Sequence, residues 1–291
     1  MKRRQALAML AAGACAPALG AVRKSGVRGV AMVWELAQTL AALGTPPIAV
    51  AELNWYRTYA ATPRLPVNTI DVGLRVEPNL ELLQQIEPDF IAINSQQTLV
   101  RDKLARIAPV QWLPIHTPDG QPYRHATAAA LRLAELVGTP AAGFALCDRV
   151  EATIAQERRR LRNVPRRPVY AVSFEDTAHL RVSGGNSIVQ DVLDRLGFPN
   201  AWHRRAGLWG FEMIGIEDLA AEPDAHVICL NGSDNVPNVD FRKMLAANEL
   251  WQALPSVRAG RVTLLAESLW LTGGSLPVAQ RFAQIVGRSL A

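Results

Sequence analysis

Short apolar runs alternate with stretches of helical period along most of this chain, a pattern that predicts an α/β architecture. Val27 to Val33, Ile48 to Ala51, Phe90 to Ile93 and Val110 to Leu113 read as buried strands. Between them, Glu35 to Leu43 is helical and stops at Gly44, and Asn79 caps a helix running to Ile86 with Leu80, Leu83 and Ile86 on one face. Leu99 to Ile107 and His125 to Val137 continue the alternation, the latter ended by Gly138. Leu53 to Ile70 breaks it. That stretch has little periodicity, carries Trp55, Tyr56, Tyr59, Pro63 and Pro66, and reads as a long loop of the kind that often bears function.

Thr139 to Asn163 is different again. Phe144, Cys147, Val150, Ile154 and Leu161 recur at helical spacing with no proline inside, Pro140 suits the first turn, and Pro165 stops it. A helix of that span is roughly 35 Å long, about one domain across, and reads as a rigid strut. The α/β pattern then restarts, with strands at Val169 to Ser173, Val227 to Leu230 and Val262 to Leu265. Helices are predicted at Ser187 to Leu196, Asn238 to Leu245 and Leu276 to Leu290. The implied organisation is a leader at 1–21, an α/β lobe at 22–138, a connecting helix at 139–164 and a second α/β lobe at 165–291. A ligand would lie in the cleft between the lobes.

Composition narrows the classes. With 291 residues, 49% hydrophobic and 20% charged, the chain is globular and large enough for two cores. Its formal charge of +5 is mild. The arginines are scattered apart from Arg158-Arg159-Arg160 and Arg166-Arg167, so no basic stripe for nucleic acid is expected. Lys2-Arg3-Arg4 followed by the short apolar run Ala6 to Ala14 and small residues around Ala18-Leu19-Gly20 reads as a secretory signal, with a twin-arginine flavour. The expected compartment is the periplasm. Cys15 follows a poor lipobox and is expected to leave with the leader, which makes Cys147 and Cys229 the cysteines of the mature chain, read as free thiols in apolar surroundings.

Catalytic motifs are missing. There is no P-loop, no dinucleotide fingerprint, no H-E-x-x-H and no G-x-S-x-G. Ser183-Gly184-Gly185-Asn186-Ser187 reads as a tight strand-to-helix turn rather than a phosphate cradle. The histidines His116, His125, His179, His203 and His226 form no metal spacing and read singly as surface or packing residues. What remains is a set of aromatics at strand ends and in loops: Trp34, Trp55, Tyr59, Trp209 and Trp270.

Five segments in order carry a resemblance: Asp71 to Leu83, Leu104 to Pro109, Phe198 to Trp202, Leu208-Trp209-Gly210 and Leu250 to Arg261. Over essentially its whole length the chain resembles the periplasmic binding proteins that feed ferric hydroxamate siderophores to ABC importers, the FhuD type. The resemblance implies two α/β lobes joined by one long helix and a shallow aromatic cleft. It implies no enzymatic activity and no cofactor, with iron held only through the siderophore. Arg75 matches the family's key arginine, and Trp34, Tyr59, Trp209 and Trp270 match its cleft aromatics. Gln97 stands where the family places a tyrosine, a departure that bears on which siderophore is taken. Glu81 and Glu217 match the glutamates, one on each lobe, through which the wider family docks its inner-membrane permease. The protein is expected to be a monomer with a ferric siderophore and that permease as partners. The same fold could serve haem, a cobalamin or a carboxylate siderophore, and Arg57, Arg204 and Arg205 are the cations that would suit the last. A siderophore-processing enzyme would need a nucleophile and base that these residues do not assemble, and an interaction module would leave the aromatic cleft unexplained.

Overall fold

The computed structural model describes residues 26–60, 62–230, 241–265, 269 and 273–291. The leader, Cys15 and Trp270 lie outside the described residues. The first half runs β1 (Gly29–Ala31), α1 (Trp34–Ala42), β2 (Ala49–Val50), α2 (Leu53–Trp55), β3 (Ile70–Asp71), α3 (Leu80–Gln85), β4 (Phe90–Ile93), α4 (Arg101–Ala105), β5 (Val110–Trp112) and α5 (Pro122–Leu136). Its sheet is wholly parallel, in the order β3-β2-β1-β4-β5. Next comes α6 (Pro140–Arg160). The second half runs β6 (Val169–Phe174), β7 (His179–Ser183), α7 (Ile188–Leu196), β8 (Phe211–Gly215), β9 (His226–Cys229), α8 (Phe241–Ala247), α9 (Glu249–Ala253), α10 (Pro255–Arg258), β10 (Val262–Leu264) and α11 (Leu276–Leu290). That sheet is mixed, in the order β10-β9-β6-β7-β8, with β7 antiparallel to both its neighbours.

The apolar runs in the inner strands β1, β4, β6 and β9 are continuous because both faces of the sheet are covered there. In β4, Phe90 and Ala92 face one core while Ile91 and Ile93 face another. In β6, Val169 and Ala171 share the first core and Tyr170, Val172 and Phe174 enter a third. The shared core is continuous across both lobes. Leu133 of α5, Val150 and Ile154 of α6, Val192 of α7 and Phe282 of α11 all belong to it. The strut is therefore not an isolated rod. At 21 residues it is about 30 Å long, and α5, α7 and α11 pack along it. Such packing resists hinge bending, so small lobe movements are expected.

Several local expectations change. Leu53 to Ile70 is not one loop: α2 runs into a π-helical turn at Tyr56–Ala60, and its end is β3. Helix α5 starts at Pro122 rather than at His125, with proline in the first turn, where its missing N–H is harmless. Strands β7 and β8 escaped the pattern because each is short and carries charge on one face, Arg181 in one and Glu212 in the other. The turn at Gly184-Gly185 is indeed packed rather than open. A Cβ on Gly185 would lie 2.1 Å from the backbone oxygen of His203. Cys147 and Cys229 are free thiols, and burial raises the pKa of both.

Candidate functional site

All five strands of the N-terminal sheet are parallel, so their carboxyl ends share one edge. The order reverses between β1 and β4, which opens a crevice at that edge. The residues placed there follow the five strands in turn. Glu35 comes after β1, Glu52 after β2, Arg75 after β3, Gln96 after β4 and His116 after β5. The opposite wall comes from the second sheet: Arg181 on β7, and Trp209 and Phe211 at the entry to β8. A cavity of about 210 Å³ is lined by Glu35, Arg75, Gln96 and His116 from one lobe and by Arg181, Trp209 and Phe211 from the other, with Gly273. The larger hollow of about 440 Å³, around Trp55 and Leu74, is lined from the N-terminal lobe alone.

Arg75 is held from three sides. Gly73, at φ +86°, turns the chain after β3, and its N–H donates to Asp71 Oδ1 at 2.9 Å. Glu52 then takes the guanidinium. Arg75 Nε donates to Glu52 Oε2 at 2.7 Å, Nη2 donates to the same carboxylate, and the Arg75 backbone N–H reaches Oε1 at 3.3 Å. The guanidinium carbon lies 4.9 Å from the centre of the Trp34 ring, a cation–π contact. Nη1 makes a long bond of 3.4 Å to Gln96 Oε1. Glu52 itself sits in the left-handed region at φ 56°, a conformation disfavoured for a side chain with a Cβ. Its N–H is fixed to Gly73 O at 2.9 Å. A strained residue whose carboxylate orients a cleft arginine fits the tendency of such strain to collect at functional sites.

Glu35 is 4% exposed, yet it lines the cavity. Asn94 Nδ2 donates to its Oε1 at 2.6 Å. Burial pushes its pKa up to about 7, against the lowering effects of a backbone hydrogen bond, Asn94 and the Arg75 charge. On the far wall, Arg181 Nε and Nη2 reach Glu175 at 2.9 and 3.0 Å, and its guanidinium carbon lies 5.0 Å from the Phe211 ring centre. His116 meets Trp209 edge-on at 5.7 Å and 69°, a contact between the lobes. Arg205 Nη2 adds another, donating to Pro118 O at 2.6 Å. Gly210, at φ +75°, lets the chain beside Trp209 approach Ser187, whose Cα would be 2.9 Å from an added Cβ.

The residues singled out from the sequence take different places in the structure. Arg75 and Trp209 meet in the cavity. Trp34 does not open into it: the ring is 2% exposed, with Nε1 donating to Ala51 O at 3.2 Å, and it serves as the floor beneath Arg75. Gln97 is likewise displaced. It is fully buried, and its Oε1 accepts from Asn94 N–H at 3.0 Å to close a short turn, while Gln96 takes the cavity-facing position. Tyr59 is half-buried against the core and does not line the cavity. Glu81 and Glu217 are exposed, each in the first turn of a short helix, one on each lobe. Arg57, Arg204 and Arg205 do not line the cavity; Arg181 does. Glu35, Gln96, His116, Arg181 and Phe211 were not singled out as site residues. Only their places immediately after strands could have flagged the first three.

The sequence as a whole now has a context. A family model described as periplasmic binding protein matches residues 30–269. The chain belongs to the periplasmic binding protein family. Within that family it is 35% identical, over 90% of its length, to the iron(3+)-hydroxamate-binding protein FhuD of Escherichia coli K12, of which the match covers 86%. The crystal structure of FhuD from Vibrio cholerae with Fe3+–Desferal superposes with a TM-score of 0.81 at 27% identity, covering 91% of this chain and 98% of that one. The iron-uptake system-binding protein FeuA of Bacillus subtilis shares the fold, with a TM-score of 0.72 at 14% identity, covering 90% and 93%. This is a family of binding proteins, not enzymes. Among the described residues, no cluster of three or more His, Cys, Asp or Glu could hold a metal ion, and no helix is long and apolar enough to cross a membrane.

Proposed function

We propose that this chain captures a ferric siderophore, of hydroxamate type, in the cleft between its lobes and delivers it to an ABC permease of the inner membrane. The observation that carries the reading is Arg75. In a chain 35% identical to a ferric hydroxamate-binding protein, a guanidinium pinned by Glu52 and stacked on Trp34 lines a cavity built from both lobes. Guanidinium stays charged and has five donors and no acceptor, which suits the oxygens of an iron-bound hydroxamate. Because Glu52 and Trp34 already fix its orientation, little side-chain freedom is lost on binding. Trp209 and Phe211 supply apolar wall for the chelator's methylene spacers. Iron is cargo here, coordinated by its chelator, and the protein holds the chelate.

The remaining parts of the proposal follow from the same resemblance. The protein works as a monomer in the periplasm, exported by the segment at 1–21. Glu81 and Glu217 offer one exposed carboxylate on each lobe to arginines of the permease, a charge-assisted contact suited to reversible docking.

Tryptophan fluorescence tests the cargo. Mature protein is titrated with ferrichrome, ferrioxamine B, ferric citrate and haem, using wild type and Arg75→Ala. Saturable quenching by a hydroxamate, weakened about 10- to 100-fold in Arg75→Ala, is expected for the loss of a charged hydrogen-bond donor worth about 1.5–3 kcal/mol. Tight binding confined to haem or ferric citrate would overturn the hydroxamate reading and leave the fold assignment standing.

A further inference from the structure

Two arginines line the cavity, one from each lobe, and they are built alike. Arg75 lies over Trp34 and is held by Glu52; Arg181 lies over Phe211 and is held by Glu175. In both, Nη2 donates to the glutamate; Nε of Arg75 does so too, while Nε of Arg181 lies 2.9 Å from Glu175 Oε1 as an ion pair without completing a hydrogen bond. The other nitrogen, Nη1, has only a 3.4 Å bond to Gln96 in Arg75, and in Arg181 it has no protein partner among the described residues. Arg181 reaches this place through strand alternation. Its neighbours Leu180 and Val182 point into the core of the second lobe, so Arg181 points to the other face of β7.

A neutral ferric trihydroxamate would gain little from a second guanidinium in a space of about 210 Å³. That guanidinium would lose hydration without gaining an ionic partner. An anionic chelate reverses the balance, because a carboxylate oxygen can take the spare donors of either guanidinium as charge-assisted bonds. Glu52 and Glu175 offset much of the guanidinium charge, but they keep each group oriented and leave N–H donors unused for a carboxylate oxygen to take. Glu35 is the third carboxylate near the site. Its raised pKa leaves a large share of it protonated at neutral pH, and a nearby anion would drive it further toward the acid.

We propose that Arg75 and Arg181 form a two-sided clamp for an anionic ferric chelate carrying carboxylate oxygens beside its hydroxamates, and that Arg181 selects such cargo over neutral or cationic hydroxamates. The inference rests on the ferric siderophore reading and sharpens it. Three probes of graded charge separate the two. They are the ferric chelate of aerobactin, a citrate bearing two hydroxamate arms; neutral ferrichrome; and ferrioxamine B, with its pendant ammonium. Wild type is expected to bind the aerobactin chelate at least about tenfold tighter than the other two. Arg181→Gln should remove about tenfold from that affinity and less than about twofold from ferrichrome, with Arg181→Lys in between. Circular dichroism and thermal melts establish that each variant is folded. Equal binding of ferrichrome and the aerobactin chelate by wild type, or an equal loss for all probes in Arg181→Gln, overturns the clamp and leaves the siderophore reading intact. Failure of folded wild type to bind any of the three overturns both.

Discussion

Replacing Glu35 by glutamine probes the electrostatics of the cleft floor. Glu35 is 4% exposed, and burial raises its pKa from the ordinary 4.5 to about 7. The unfolded chain releases this proton near 4.5, while the folded chain keeps it until about 7. Across that window the folded state binds more protons, so stability falls as pH rises, being full below 4.5 and lost once pH passes 7. A tenfold displacement is worth about 1.4 kcal/mol, which puts the whole effect at about 3 kcal/mol. Glutamine has the shape of the protonated acid, can still accept from Asn94 Nδ2, and carries no charge to desolvate. Glu35→Gln should therefore match wild type within about 1 kcal/mol at the acid end of the window and exceed it by about 2–3 kcal/mol one pH step above the window. In a chain of this size that gap corresponds to a melting-temperature difference of about 3–5 °C. Urea denaturation and thermal melts of both proteins across the window measure it. A gap independent of pH, or a variant less stable than wild type at the alkaline end, would refute the burial account.

Two further outcomes are expected. Ile154, 2% exposed on α6, belongs to the core shared by both lobes; Ile154→Ala should cost about 2–4 kcal/mol in denaturant melts, and a loss under about 1 kcal/mol would show that α6 does not anchor that core. Glu81→Ala combined with Glu217→Ala should leave siderophore titrations unchanged while abolishing uptake through the cognate permease in vesicles, since both carboxylates are exposed and neither lines the cleft; normal uptake would remove them from docking.

The connecting helix was legible because Val150, Ile154 and Leu161 keep helical spacing between a first-turn proline and Pro165, all local signals. Arg75 was legible from its surroundings, a turn glycine on one side and an Asn79 helix cap on the other, and Asn79 does cap, accepting from Leu82 N–H at 2.9 Å. Trp34 and Gln97 were legible as residues near the site but not in their orientation. One side chain lies under the arginine and the other folds back to Asn94, because a one-residue change of facing in a turn is decided by which backbone groups need partners. Arg181 carried no signal at all. A lone arginine in a short edge-proximal strand reads as solvent-facing until the opposite lobe is present.

The sequence by itself determined the α/β alternation, the strut, the family resemblance and the turn-to-helix segment that carries Arg75, since periodicity, capping residues and turn glycines act over a few neighbouring positions. Only the tertiary structure decided which side chains share the cleft. Glu35, Gln96 and His116 meet because parallel strands bring their carboxyl ends to one edge, and Arg181 joins them because β7 of the second sheet lines the same cavity. Those distances depend on strand order and on how the lobes pack, and neither is encoded in any local stretch of residues.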